Sequence, residues 1–261
     1  LQVRACQIDA ELGTPEARRS AIRWLVADAA SDGADVIVFP ELALTGYGAG
    51  DMIGSDARTG TGAALAELKR LADEHRITIV TGLAVLGAGG VLNAAVAAQP
   101  GAEPIVYAKR HLYGDYEKAL FVPGRAPSPI FEVAGMKAGM LVCFDVEFPE
   151  RVRELALAGA EIVFVPTALP RSESARFVAE HVVPVRAFEN QIFVVYVDHC
   201  GEDERFAYQG LSCIAAPDGT RLATAPADQL AILSVTIEPG DYEAAREQNP
   251  YLQELAESRL R

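Results

Sequence analysis

The chain has 261 residues, 50% of them hydrophobic, a mean hydropathy of +0.14 and a formal charge of −13. That supplies apolar material for one sizeable core, and α/β folds often reach this length as a single domain. The acid excess argues against nucleic acid and against an anionic membrane surface as partners, and solubility or a salty medium accounts for it.

Val3–Ile8 reads as a strand and Thr14–Ser31 as a helix. Thr14 suits the N-cap, Pro15 the first helical position, and Ile22, Leu25, Val26 and Ala29 fall on one face. Asp35–Phe39 is a short apolar strand ending at Pro40-Glu41, and Ala63–His75 a helix with Leu65, Leu68 and Leu71 inward. Ile77–Val85 and Val91–Ala98 read as neighbouring strands. The glycine turn between them lacks a third glycine and a following helix, so it is a hairpin and not a dinucleotide loop. Pro104–Lys109 is a strand leading into a polar loop, and Ile130–Val133 with Lys137–Val142 a hairpin. Then come helix Glu150–Ala158, strand Glu161–Val165 and a long helix Ser172–Asn190. Strands follow at Ile192–Val197, Gly210–Ala216, Arg221–Ala225 and Ala231–Thr236, and the polar tail from Gly240 is partly helical. Alternating helices and strands interrupted by hairpins predict a mixed sheet, or two stacked sheets, covered by helices. No linker, repeat or low-complexity segment divides residues 1–261, so one domain with a tail from about 240 is expected.

Cys6, Cys143, Cys200 and Cys213 stand at no CxxC spacing, and a chain of this size needs no disulfide staples, so reduced thiols in the cytoplasm are expected. His75, His111, His181 and His199 form no zinc-ligand pattern, so neither a metal nor a cofactor is expected. No charged-then-apolar leader opens the sequence, and no apolar run is long enough to span a bilayer. Leu1 opens it, so a start methionine is expected upstream.

Three strand ends carry reactive residues. Glu41 follows Val36-Ile-Val-Phe-Pro40, Lys109 follows Ile105-Val-Tyr-Ala108, and Cys143 follows Met140-Leu-Val142. Open α/β sheets place their sites at such ends. Each residue also has a plain reading: Cys143 as a small buried hydrophobe, Glu41 as a loop or capping acid, Lys109 as a solvated loop cation. Lysine is scarce, however, with only Lys69, Lys109, Lys118 and Lys137. Together the three make a consistent chemistry. At neutral pH only a few per cent of an ordinary thiol is thiolate, so a carboxylate would serve as its base. An ammonium and the backbone N–H of Phe144 would hold the anion formed on a carbonyl, each donor contributing about 3–4 kcal/mol.

The chain resembles the nitrilase superfamily of carbon–nitrogen hydrolases, and its amidase branch most closely. Three blocks carry the resemblance: Val38-Phe-Pro-Glu41-Leu-Ala-Leu-Thr-Gly-Tyr47, Tyr107-Ala-Lys109-Arg-His-Leu112, and Gly139-Met-Leu-Val-Cys143-Phe-Asp-Val-Glu-Phe-Pro-Glu150. Lesser matches are Glu117-Lys-Ala-Leu-Phe-Val-Pro-Gly124, Pro166-Thr-Ala168 and Arg186-Ala-Phe-Glu-Asn190. The resemblance runs from Val3 to about Thr236. It implies an αββα sandwich of two mixed sheets, paired into a homodimer through helices Glu150–Ala158 and Ser172–Asn190. It implies Glu41 as general base, Lys109 as oxyanion stabiliser, Cys143 as nucleophile and Glu117 as a second, positioning glutamate. Phe144, Tyr47, Tyr116 and Ala168 would line a small pocket with apolar walls. The implied activity is hydrolysis of small aliphatic or simple aromatic amides through a thioester. A nitrilase, an N-carbamoyl hydrolase and an ω-amidase are the alternatives within the superfamily, and a non-catalytic interaction protein the alternative outside it. Phe144-Asp145 after the cysteine is amidase-like, whereas Glu147 stands where many relatives carry arginine. His199-Cys200 and Glu202-Asp-Glu204 match nothing assigned and are expected in a solvated loop at the pocket rim.

Overall fold

The computed structural model describes residues 1–258. In chain order the elements are β1 (Gln2–Gln7), α1 (Pro15–Ser31), β2 (Val36–Val38), α2 (Asp51–His75), β3 (Thr78–Gly87), β4 (Gly90–Ala98), β5 (Ile105–Ala108) and α3 (Gly114–Leu120). There follow β6 (Phe131–Val133), β7 (Met136–Met140), α4 (Pro149–Leu157), β8 (Ile162–Pro166), α5 (Glu173–Phe177) and α6 (Val183–Asn190). The last are β9 (Phe193–Val197), β10 (Cys213–Ala215), β11 (Arg221–Thr224), β12 (Ala231–Thr236), α7 (Glu243–Gln248) and α8 (Tyr251–Ser258).

The strands form two six-stranded mixed sheets, β12-β1-β2-β3-β4-β5 and β11-β10-β9-β8-β7-β6. Each has a parallel centre (β1·β2·β3 and β7·β8·β9) with antiparallel strands outside it. The period-two rule sorts the side chains. In β2, Val36 and Val38 join the core between the sheets, while Ile37 faces α1 and α2 with Ile22, Leu25, Leu68 and Ala72. On the far side, Val152 and Leu155 of α4 and Val183 and Ala187 of α6 close the same central core. The four layers are the αββα sandwich that the resemblance implies.

Several elements differ from expectation. Helix α2 begins at Asp51, not Ala63. Gly54, Gly60 and Gly62 disguise its first half, but Ile53 and Ala57 there are buried in one apolar cluster with Leu42, Tyr47, Val91 and Phe121, and that packing outweighs poor propensity. The polar loop after Lys109 contains α3. The long helix is real but carries a π-helical turn over Val178–Val182, just before Pro184, whose ring cannot accept an ordinary helix interior. The strand expected at Gly210–Ala216 shortens to Cys213–Ala215.

Candidate active site

Glu41 leaves β2 through Pro40, and its backbone N–H donates to Thr167 O at 3.1 Å, which ties one sheet's end to the other's. The neighbouring strand must be bare there. A Cβ on Gly82 of β3 would stand 2.3 Å from the Glu41 Cα, so only glycine lets the two backbones meet. Lys109 follows β5, and its amide donates to Asn93 O at 2.8 Å. Its ammonium then reaches inward to Glu41 Oε1 at 2.8 Å and to Glu117 Oε1, on α3, at 2.6 Å. All three side chains are fully buried. Asn93 Nδ2 donates to Glu41 Oε1 at 2.6 Å, and the Ala168 N–H to Glu41 Oε2 at 2.9 Å. The Tyr47 hydroxyl and the Tyr113 N–H donate to the two oxygens of Glu117.

Cys143 opens a single 3-10 turn, Cys143–Glu147, between β7 and α4. Its φ of 44° puts a non-glycine residue in the left-handed region, a strained placement that concentrates at functional sites. Asp145, two residues on, fastens the turn to the Lys109 loop. It accepts from His111 N and Nδ1 at 2.9 and 2.8 Å, and from the Tyr107 hydroxyl at 2.9 Å. Only 3% of Cys143 is exposed. Its sulfur lies in the fields of Glu41, Lys109 and Glu117.

Electrostatics set the resting protonation. Burial, and then the charge of Glu41, push the Cys143 thiol well above its ordinary value, against Lys109. Burial likewise pushes Glu41 up to about 7, although Lys109 opposes it. Burial disfavours the Lys109 ammonium, but Glu41, Cys143 and Glu117 outweigh that and raise it, so it stays charged. A neutral thiol, a carboxyl near the middle of the physiological range and a fixed cation therefore share one enclosed space.

The structure brings Glu41, Lys109 and Glu117 into direct contact and sets Cys143 in their field. The backbone N–H of Ala168 is at the centre of this group. Phe144 stands further out in an aromatic wall, with ring centroids 5.2 Å from Tyr113 and 5.0 Å from Phe148. Tyr47 is buried behind Glu117, and the Tyr116 hydroxyl is spent on the Tyr47 carbonyl at 2.7 Å. A wider cleft of about 810 Å³, lined by Thr14, Arg18, Gly46 and Asp203, holds none of the reactive residues.

The expected solvated loop at His199-Cys200 is corrected: both residues are buried. The His199 Nε2–H donates to the carbonyl of Glu41 at 2.8 Å. Burial and then the Arg18 charge lower the ring to about 3, so it stays neutral. Asp203 is half-buried and accepts from the Gly48 N–H at 3.1 Å, while Glu202 and Glu204 are exposed as expected. Sequence reasoning also missed Asn93 and Asp145. Asn93 had a signal, a lone amide within the apolar strand Val91–Ala98. A small polar side chain buried in such a strand needs a partner.

The carbon-nitrogen hydrolase family model matches residues 2–247. The chain is 39% identical over 213 residues to a hydrolase in the pqqF 5′ region of Pseudomonas protegens, covering 80% of this chain and 73% of that one. It is 30% identical over 230 residues to an (R)-stereoselective amidase of a Pseudomonas species, covering 88% and 82%. A mutant of the amidase from Nesterenkonia sp. AN1, in complex with butyramide, superposes with a TM-score of 0.85 at 32% identity, covering 97% of this chain and 93% of that one. The chain therefore belongs to the carbon–nitrogen hydrolases of the nitrilase superfamily and has the fold of its amidase members.

Proposed function

We propose that this chain is a cysteine-dependent amidase that hydrolyses small aliphatic or simple aromatic amides to carboxylic acid and ammonia, working as one catalytic unit. One observation carries the reading: Lys109 bridges Glu41 and Glu117 in a fully buried cluster whose charges act on the Cys143 thiol.

Glu41 takes the proton from the Cys143 sulfur, and the thiolate adds to the amide carbon. The carbonyl oxygen becomes an oxyanion held by the Lys109 ammonium and the Phe144 N–H. Collapse of the tetrahedral adduct breaks the C–N bond. Glu41 returns its proton to the leaving nitrogen, and ammonia departs from a thioester. Glu41 then deprotonates a water, whose oxygen attacks the thioester. The acid leaves, and the proton returns through Glu41 to sulfur. Glu117, gripped by Tyr47 and Lys109, positions the ammonium and the substrate amide. The slight exposure of Cys143 favours small acyl groups.

The same proposal includes a homodimer in the cytoplasm. Leu157 of α4, Phe177 of α5 and Val185 of α6 are 43, 58 and 48% exposed, and such large apolar side chains favour a covered helical face. The chemistry requires Cys143 reduced, and it is a free thiol here.

Ammonia release from a panel of a small amide, a nitrile and a carbamoyl compound tests the reading. The amide is expected to be the substrate, and Cys143→Ala to abolish its turnover while leaving the circular dichroism unchanged. Undiminished turnover by Cys143→Ala ends the proposal. Preferred attack on the nitrile, or carbon dioxide release, moves the activity to the nitrilase or carbamoyl alternative.

A further inference from the structure

Two acids share the turn of the nucleophile: Asp145 is spent on Tyr107 and His111, whereas Glu147 has neither such partners nor a step in the reaction above. It ends the 3-10 turn that Cys143 begins, and it is half-buried. Its main chain is clamped. Arg186 of α6 donates from Nε to Val146 O at 2.9 Å and from Nη2 to Glu147 O at 2.7 Å. The remaining Nη1 goes to Glu189 at 3.0 Å, so this guanidinium holds the backbone and does not neutralise the Glu147 side chain. Among the described residues, no lysine, arginine or histidine nitrogen lies within ion-pair distance of that carboxylate. The other cation whose field it feels, Lys109, is already shared between Glu41 and Glu117.

We propose that Glu147 selects the acyl portion of the substrate, favouring amides with a positively charged group a few bonds from the carbonyl and rejecting those with a carboxylate there. This rests on the amidase reading. If the leaving nitrogen faces Glu41 and the oxyanion faces Lys109, the acyl chain is left to run along the Cys143–Glu147 turn. At its end stands an acid partly removed from water and without a salt-bridge partner. Burial raises its carboxyl, Lys109 and Arg186 only partly compensating. An ammonium delivered by the substrate restores what desolvation removed. Glu41, Glu117 and Glu147 also outnumber the Lys109 and Arg186 cations near them, which weighs the local potential against anionic substrates before contact.

The test uses β-alaninamide, butyramide and succinamate. The first two have equal numbers of heavy atoms and differ in a terminal ammonium against a methyl. The full-length protein is expected to show a higher kcat/KM for β-alaninamide than for butyramide, with succinamate the poorest. Glu147→Gln should lower the β-alaninamide-to-butyramide ratio about tenfold, the scale of one partly desolvated ion pair, and raise succinamate relative to butyramide. The ratio in the unmodified protein should also shrink with added salt, which needs no variant to fold. Butyramide turnover with a ratio of one or less, or a ratio that neither Glu147→Gln nor salt alters, overturns the proposal and leaves the amidase reading standing. No ammonia from any of the three overturns both.

Discussion

The Lys109 ammonium stands 2.8 Å from Glu41 Oε1, and neither side chain has any solvent exposure. On the proposed mechanism this pair suits Glu41 to act as base and acid in turn, because burial pushes its carboxyl up to about 7 while the ammonium stays charged. The acidic limb of kcat/KM is therefore expected to rise with pH through about 7, where Glu41 ionises. For stability the sign is opposite. The folded-state value lies above the ordinary 4.5, so the folded state holds this proton more tightly than the unfolded chain does. This group's contribution then declines as pH rises from 4.5 to about 7. A pH–rate profile checks the first expectation; in Glu41→Gln, the limb should vanish with the activity. A limb that persists near 4.5 would exclude Glu41 as the titrating group.

Removing the cation should cost stability as well as activity. Lys109→Met leaves Glu41 and Glu117 facing each other without water, and breaking a buried pair in this way costs roughly 3–5 kcal/mol. Urea midpoints measure this. The double variant Glu41→Gln with Lys109→Met is expected to recover part of the loss. Lys109→Arg should also be inactive, since a planar fork cannot replace a compact ammonium between two carboxylates.

The thiol depends on its neighbour. Its raised pKa makes Cys143 a poor spontaneous thiolate, so rapid alkylation requires Glu41 to accept its proton. Iodoacetamide is expected to label Cys143 in the native protein and to leave buried Cys6, Cys200 and Cys213 untouched. In Glu41→Gln the labelling rate should fall at least about tenfold. Equal rates in the two proteins would contradict this coupling.

Asp145 acts on the site through position alone. Asp145→Ala strands the buried Tyr107 hydroxyl, at about 1–3 kcal/mol, and at less cost the half-buried His111 donors, and it frees the Cys143 turn from the Lys109 loop. The expected signature is a lower kcat at little-changed KM, with a lower melting temperature. Asp145→Asn should recover part of both.

Gly82→Ala tests the closest backbone approach in the site. The added methyl would overlap the Glu41 Cα, so either β3 or the Glu41 turn must shift. Expression without activity, or failure to fold, is expected; an unaltered kcat would refute the close approach.

The unbroken apolar run Val36-Ile-Val38 and the helical face of α1 made the layers legible: a strand buried on both faces reads as continuously apolar, and a helix buried on one face leaves a period in its residues. The first half of α2 was hidden by its glycines, since tertiary packing stabilises it and propensity does not. Glu41, Lys109 and Cys143 were readable as reactive residues at strand ends, and the motifs of a known family ordered them. His199 was not, and Asn93 stood out only as a buried amide whose partner could not be read, for a physical reason. Their roles are hydrogen bonds to Glu41 from positions 158 and 52 residues away, and no local pattern records such a contact.

On the proposed thioester route, the near-complete enclosure of Cys143 constrains deacylation more than acylation. Water must follow the route by which the amide entered. An acyl group wide enough to plug that route would bar the molecule needed for its own release. Oversized amides should then behave as slow, covalent inhibitors that liberate one equivalent of ammonia and stall.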